Sequence, residues 1–148
     1  MSAKKTIYII RHGETDYNKQ GIIQGGGIDS SLNELGRRQA QQFYQAYHHI
    51  QFDRIYTSEL KRTHQSVAPF LNAGHHHHIL PELNEINWGV FEGLKGNAAS
   101  KEVYKAMIND WSSGLLDRSV EDGESPNSVF KRQKIGLQKI LSTDDQTI

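Results

Sequence analysis

Arg11, His12 and Gly13 stand side by side directly after the apolar run "TIYII" at residues 6–10. An arginine beside a histidine at the end of a buried strand adds little to stability. The pair makes sense where it does chemistry at the edge of a sheet. A neutral imidazole can be the nucleophile in covalent catalysis. A guanidinium presents a planar fork of donors that suits phosphate oxygens. Glycine after the histidine lets backbone come close to a ligand. A second group follows "DRIYT" at residues 53–57: Ser58, then Lys61 and Arg62. Two arginines and a histidine from separate strand ends can converge on one anion. Taken singly, His12 could instead cap a strand in the core, and either arginine could be a surface cation.

The elements that must position these residues follow from periodicity. "TIYII" reads as a buried strand, and "DRIYT" as a second. "HHILP" at residues 77–81 is a weaker third. Residues 21–33 are rich in glycine and serine and form a loop. Leu35, Ala40, Phe43, Tyr44 and Tyr47 recur at helical spacing. A second helix carries Leu60, Val67, Phe70 and Leu71, with Ser58 as its N-cap, Pro69 near its end and Gly74 to close it. Val103, Tyr104, Met107, Ile108 and Trp111 mark a third, after an irregular stretch at residues 84–97. Ser125-Pro126 is a helix start, leading through Val129, Phe130, Leu137, Ile140 and Leu141. Strands alternating with helices predict an α/β fold: a three-layer sandwich with a mostly parallel central sheet flanked by helices. In such sheets ligands sit beyond the carboxyl ends of the strands, where both arginine groups fall.

Composition narrows the function classes. The 148 residues suffice for one domain with a core. Seventeen basic and seventeen acidic residues leave zero formal net charge, so nothing global favours nucleic acid or an anionic membrane. Cysteine is absent, which removes a thiolate nucleophile, a thiolate metal site and a disulfide framework. The N-terminus shows no signal-type apolar region, and no run approaches the ~20 apolar residues that span a bilayer. A soluble cytoplasmic protein is the expectation. "HHHH" at residues 75–78 places imidazoles two apart on a strand, a spacing that can share a metal, but an exposed polar strand end accounts for it.

With these residues in view the chain resembles the histidine phosphatase superfamily, the phosphoglycerate mutase-like enzymes. "RHGETDYN" (11–18) resembles the family's nucleophile motif and "QGGGIDSSLNELGRRQA" (24–40) its loop and helix start. "YTSELKRTHQS" (56–66) resembles the segment with the second arginine, "LNEINWGVFEG" (83–93) the segment with the general acid, and "DGES" (122–125) a further loop. Order and spacing agree over essentially the whole chain.

The resemblance implies roles. His12 would be the transiently phosphorylated nucleophile, with Arg11 and Arg62 clamping the phosphoryl oxygens. Asn18 would hydrogen-bond the phosphoryl group, although a plain turn residue fits "DYNKQG" as well. Gln24 and Gly25 would contact substrate through the loop. Glu85 would be the general acid, with Glu82 and Glu92 as competitors. Burial and a nearby phosphate should raise the Glu85 pKa, since an acid must hold its proton near neutrality. Arg37 and Arg38 fall on a helix as solvated cations. No cofactor and no metal are implied. The expected partner is a phosphorylated small molecule, not nucleic acid or membrane, with a homodimer left open.

The family also places a second histidine after a late apolar strand. The given chain ends "LSTDDQTI", with Thr147 and Ile148 as the opening of that strand. Residues 1–148 are therefore expected to be a single domain incomplete at its C-terminus. The implied activity is phosphomonoester hydrolysis through phosphohistidine. The mutase branch would carry basic and histidine residues where this chain has Ile86 and Asn87, which favours the phosphatase branch. A phosphoglycerate mutase, or a catalytically impaired phosphate-binding module, are the alternatives.

Overall fold

Local signals set most of the helices. The computed structural model describes residues 4–148, so the first three residues of the expected domain lie outside the described ones. Helix α5 (Pro126–Leu141) starts on a Ser125–Ser128 capping box with proline in its first turn. Helix α4 (Ala98–Ser112) starts on an Asn97–Ser100 box. Helix α2 (Glu34–Tyr47) is capped by the Asn33 side chain, which accepts from the Gly36 N–H. A short helix the periodicity does not show, α1 (Asp16–Gln20), is held by a Thr15–Asn18 box and closed by Gly21 in the left-handed region, φ 66°.

Helix α3 (Lys61–Asn72) corrects the expected cap. Its N-cap is Leu60, whose side chain caps nothing. Ser58 instead accepts from the Leu60 N–H, and Asp29 in the glycine loop accepts from the Lys61 N–H at 2.6 Å. The cap is thus supplied from thirty-two residues away rather than by the local serine. Pro69 sits inside the helix, which continues to Asn72.

The fold is α/β. Strands β1 (Ile55–Thr57) and β2 (His77–Ile79) pair in parallel, with Tyr56 opposite His78. Parallel pairing recurs where Thr6 bridges Thr147 and the Tyr8 N–H donates to the Ile148 carbonyl at 2.7 Å. Leu80, Ile140 and Ile148 form a core cluster, joined by Tyr56 and Leu83. Helices α2 and α3 pack together through Phe70, whose ring meets Phe43, Tyr44 and Phe52.

Residues 6–10 differ from the expected buried strand. They are extended, and Tyr8 meets Tyr47 and Phe52 edge-on. The run is nonetheless open: Ile9 is 90% exposed, and Ile7, Tyr8 and Ile10 are exposed in part. Apolar β-branched composition marks a chain that favours extended backbone; whether a neighbour covers it is a tertiary matter.

Candidate active site

The extended segment carries His12 to the rim of a cavity of about 340 Å³ between residues 7–10, β1, α3 and α5. Most of its lining is apolar; His12, Ser58, Thr63 and Ser66 add polar groups. The His12 side chain is only 7% exposed. Its Nδ1 lies 2.7 Å from the Gly13 carbonyl. A carbonyl only accepts, so Nδ1 carries the proton and donates. Its Nε2 is buried and has no hydrogen-bond partner among the described residues. A buried polar atom without a partner is rare enough to need a reason.

Gly13 has a packing reason. A Cβ there would come within 2.6 Å of the Gly36 carbonyl, and one on Gly36 within 2.1 Å of the Glu14 carbonyl. The glycine pair lets the His12 segment press against the start of α2. The Gly13 N–H donates to Ser66 Oγ at 2.9 Å, and Ser66 Oγ donates to the Arg62 carbonyl at 2.7 Å. One turn of α3 thereby fixes His12 and Arg62 relative to each other.

Arg62 is fully buried, although it lies in the first turn of α3, where the helix dipole disfavours a cation. Three oxygens offset this. Nη1 donates to the Ile28 carbonyl at 2.8 Å. Nη2 donates to the Gly25 carbonyl at 3.0 Å and to Glu85 Oε2 at 2.9 Å. Its Nε is buried without a partner. The glycine loop is thus the cradle of the guanidinium. A Cβ on Gly25 would meet the Ile86 carbonyl at 2.1 Å, so the loop and the Glu85 segment touch through bare backbone.

Glu85 joins the cluster from the irregular segment. Its Oε2 lies 3.8 Å from His12 Nε2 and bonds Arg62. Burial pushes its carboxyl pKa up, but the His12 imidazole and the Arg62 guanidinium outweigh burial and hold it below the usual glutamate value. The expected rise concerned the carboxyl beside a bound phosphate; among the chain's own groups, Arg62 donates to the carboxylate and stabilises it. The competitors are engaged elsewhere. Glu82 pairs with Lys139, which pulls its pKa down. Glu92 accepts from the Gly27 and Trp88 N–H groups.

The remaining named residues fall around this core. Arg11 is exposed beside His12 and makes no hydrogen bond among the described residues. Asn18 is exposed; its Oδ1 accepts from the Thr15 N–H at 3.1 Å, which leaves its amide hydrogens to donate. Gln24 is buried, donating to Thr15 Oγ1 at 2.9 Å and accepting from Ser30 Oγ at 2.6 Å. It braces the loop against α1 with its whole amide. Arg37 and Arg38 are exposed on α2. His77 meets Thr57 Oγ1 at 2.8 Å and the His64 ring at 5.2 Å. Among the described residues no three His, Cys, Asp or Glu side chains group to hold a metal ion. No helix among them is long and apolar enough to cross a membrane.

Sequence reasoning missed Arg132. From α5 its guanidinium reaches the backbone of the Glu85 segment and grips Glu124 with Nε and Nη2, both at 2.7 Å. "DGES" pointed to Glu124; nothing local ties Arg132 to residues nearly fifty positions earlier.

The family model of the histidine phosphatase superfamily (branch 1) matches residues 7–148. A Schizosaccharomyces pombe protein named as a probable phosphatase is 45% identical over 117 residues, covering 74% of this chain and 53% of its own length. A probable phosphoglycerate mutase of Erwinia tasmaniensis is 31% identical, covering 95% of this chain and 65% of its own. The crystal structure of the alpha-ribazole phosphatase from Shigella flexneri superposes with a TM-score of 0.80 at 28% identity, covering 96% of this chain and 70% of that one. The chain thus spans about half to two thirds of the length of these curated relatives.

Proposed function

Because this chain belongs to the histidine phosphatase superfamily, we propose that the protein is a phosphomonoester hydrolase that works through a phosphohistidine on His12. The observation that carries the reading is the buried, unpaired Nε2 of His12, held beside Arg62 and Glu85. Nε2 attacks phosphorus, and the ester P–O bond breaks. The leaving oxygen takes a proton from the Glu85 carboxyl. Water then attacks the phosphohistidine, Glu85 takes a proton from that water, and inorganic phosphate leaves with His12 restored.

The electrostatics support this cycle. The incoming phosphoryl oxygens compete with Glu85 for Arg62. Losing that hydrogen bond while a dianion settles nearby drives the Glu85 pKa up, so the carboxyl gains its proton as substrate arrives. Arg62 Nε and the free guanidinium of Arg11 donate to the phosphoryl oxygens, and the Asn18 amide adds a neutral donor. Gln24 and Gly25 act through the loop: one braces it, the other presses it against the acid segment. The substrate is a phosphorylated small molecule, and the setting is the cytoplasm.

The mutase reading is favoured by the Erwinia tasmaniensis relative. Against it, Ile86 and Asn87 bring no charge to the acid segment. A phosphomonoester panel separates the two. Release of inorganic phosphate, lost in His12→Ala, supports the hydrolase. Transfer of phosphate within a phosphorylated sugar acid, without release, overturns it.

A further inference from the structure

The segment that bears Glu85 has no sheet or long helix to hold it. After the single turn at Pro81–Leu83 it runs irregularly to Gly89–Phe91. Yet an acid must sit within a fraction of an ångström of its proton's destination. All five N–H donors of Arg132 bear on this segment or its brace. Nη1 donates to the Glu82 and Asn84 carbonyls at 2.9 and 2.6 Å, and Nη2 to the Glu85 carbonyl at 3.2 Å. Nε and Nη2 form a two-pronged pair with Glu124. Glu124 Oε2 in turn accepts from the Asn87 N–H at 2.9 Å, while the Glu124 N–H donates to the Asn87 carbonyl at 2.8 Å. The Asn84 and Glu85 carbonyls, which flank the Glu85 Cα, are thus held by one rigid planar group, and the Asn87 amide is held by the Glu124 carboxylate paired with it.

We propose that Arg132, oriented by Glu124, is a positioning residue that sets the backbone of Glu85 and so aims its carboxyl at Arg62 and His12. Arg132 binds the carbonyls of Glu82, Asn84 and Glu85 together, so its grip fixes the stretch of backbone that ends on Glu85. Lysine cannot replace it, because a point ammonium has three donors and no fixed fork. The inference rests on the acid role proposed for Glu85.

The test compares Arg132→Met, Arg132→Lys and Glu85→Gln on an alkyl phosphate and on p-nitrophenyl phosphate. Alkoxide departure needs the acid and p-nitrophenolate departure hardly does. Arg132→Met should slow the alkyl ester about ten- to a hundredfold more than the aryl ester. Arg132→Lys should fail to restore the ratio, and adding Arg132→Met to Glu85→Gln should not change it further. Equal losses on both esters in Arg132→Met, with Glu85→Gln still selective, overturn the positioning role. If Glu85→Gln itself shows no selectivity, the acid assignment is what fails. The positioning is then judged by ¹³C NMR of the Glu85 carboxyl, which needs no turnover. In Arg132→Met its titration should leave its lowered range as the Arg62 contact is lost; an unmoved titration overturns the proposal. Should Arg132→Met not fold, Glu124→Gln keeps the shape, removes the charge that orients the fork, and should move both readouts the same way by less.

Discussion

Arg62→Met probes the centre of the site through stability alone. Methionine keeps the buried stem and deletes the guanidinium. The deletion strands the Ile28 and Gly25 carbonyls, bonded at 2.8 and 3.0 Å, and Glu85 Oε2, bonded at 2.9 Å. Hydrogen bonds from a charged donor contribute about 1.5–3 kcal/mol each, and breaking a buried ion pair from one side costs about 3–5 kcal/mol. Glu85 keeps 35% of its side chain in water, so rehydration relieves part of that cost. A net loss of about 3 kcal/mol follows. Urea unfolding at pH 7 reads it as a lowered midpoint at constant slope. The pH dependence fixes the partner. The folded Glu85 pKa is depressed, so its stabilisation is present above the unfolded value of about 4.3 and is lost as pH falls through the folded one. In the variant burial still raises the Glu85 pKa while only His12 opposes it, so the pKa lies above its value in the parent protein, and the gap to the parent narrows as pH falls toward about 3, through the carboxylate range. A loss below about 1 kcal/mol, or a gap independent of pH, refutes this account of Arg62.

Other perturbations test neighbouring statements. Vanadate affinity, read by calorimetry, should fall strongly for Arg62→Ala and barely for Arg38→Ala, whose side chain only meets Glu34 across 3.9 Å on the surface. Gly25→Ala should destabilise by about 1–3 kcal/mol or displace the Ile86 carbonyl, because the new Cβ meets backbone that cannot rotate away; a thermal scan showing no change contradicts the contact. Ser125→Ala removes one half of the α5 capping box and should lower unfolding free energy by about 1 kcal/mol without altering anion binding.

What was legible in the chain was local. Ser125-Pro126 starts α5 because a serine side chain and a proline φ act within one turn. Arg62 falls in the first turn of α3, as its distance from "DRIYT" implied. His12, Arg62 and Glu85 converge, but that expectation drew on family resemblance, since nothing within residues 83–93 says which carboxylate turns inward. What was illegible is set by partners far along the chain. Asp29 caps α3 in place of Ser58. Arg132 holds a segment it cannot be linked to by spacing. Gly13 answers to Gly36 on another helix. The downward pull on the Glu85 pKa was illegible for the same reason, since it comes from His12 and Arg62 on segments far from residues 83–93.

The central claim is that His12 Nε2 becomes bonded to phosphorus. Its most direct test is rapid acid-free quenching of the protein during turnover of a phosphomonoester, followed by digestion and mass spectrometry. Acid-labile phosphate should appear on the peptide containing His12, and neither label nor activity should remain in His12→Ala. Phosphate on a different residue, with His12→Ala still turning over, would contradict the account.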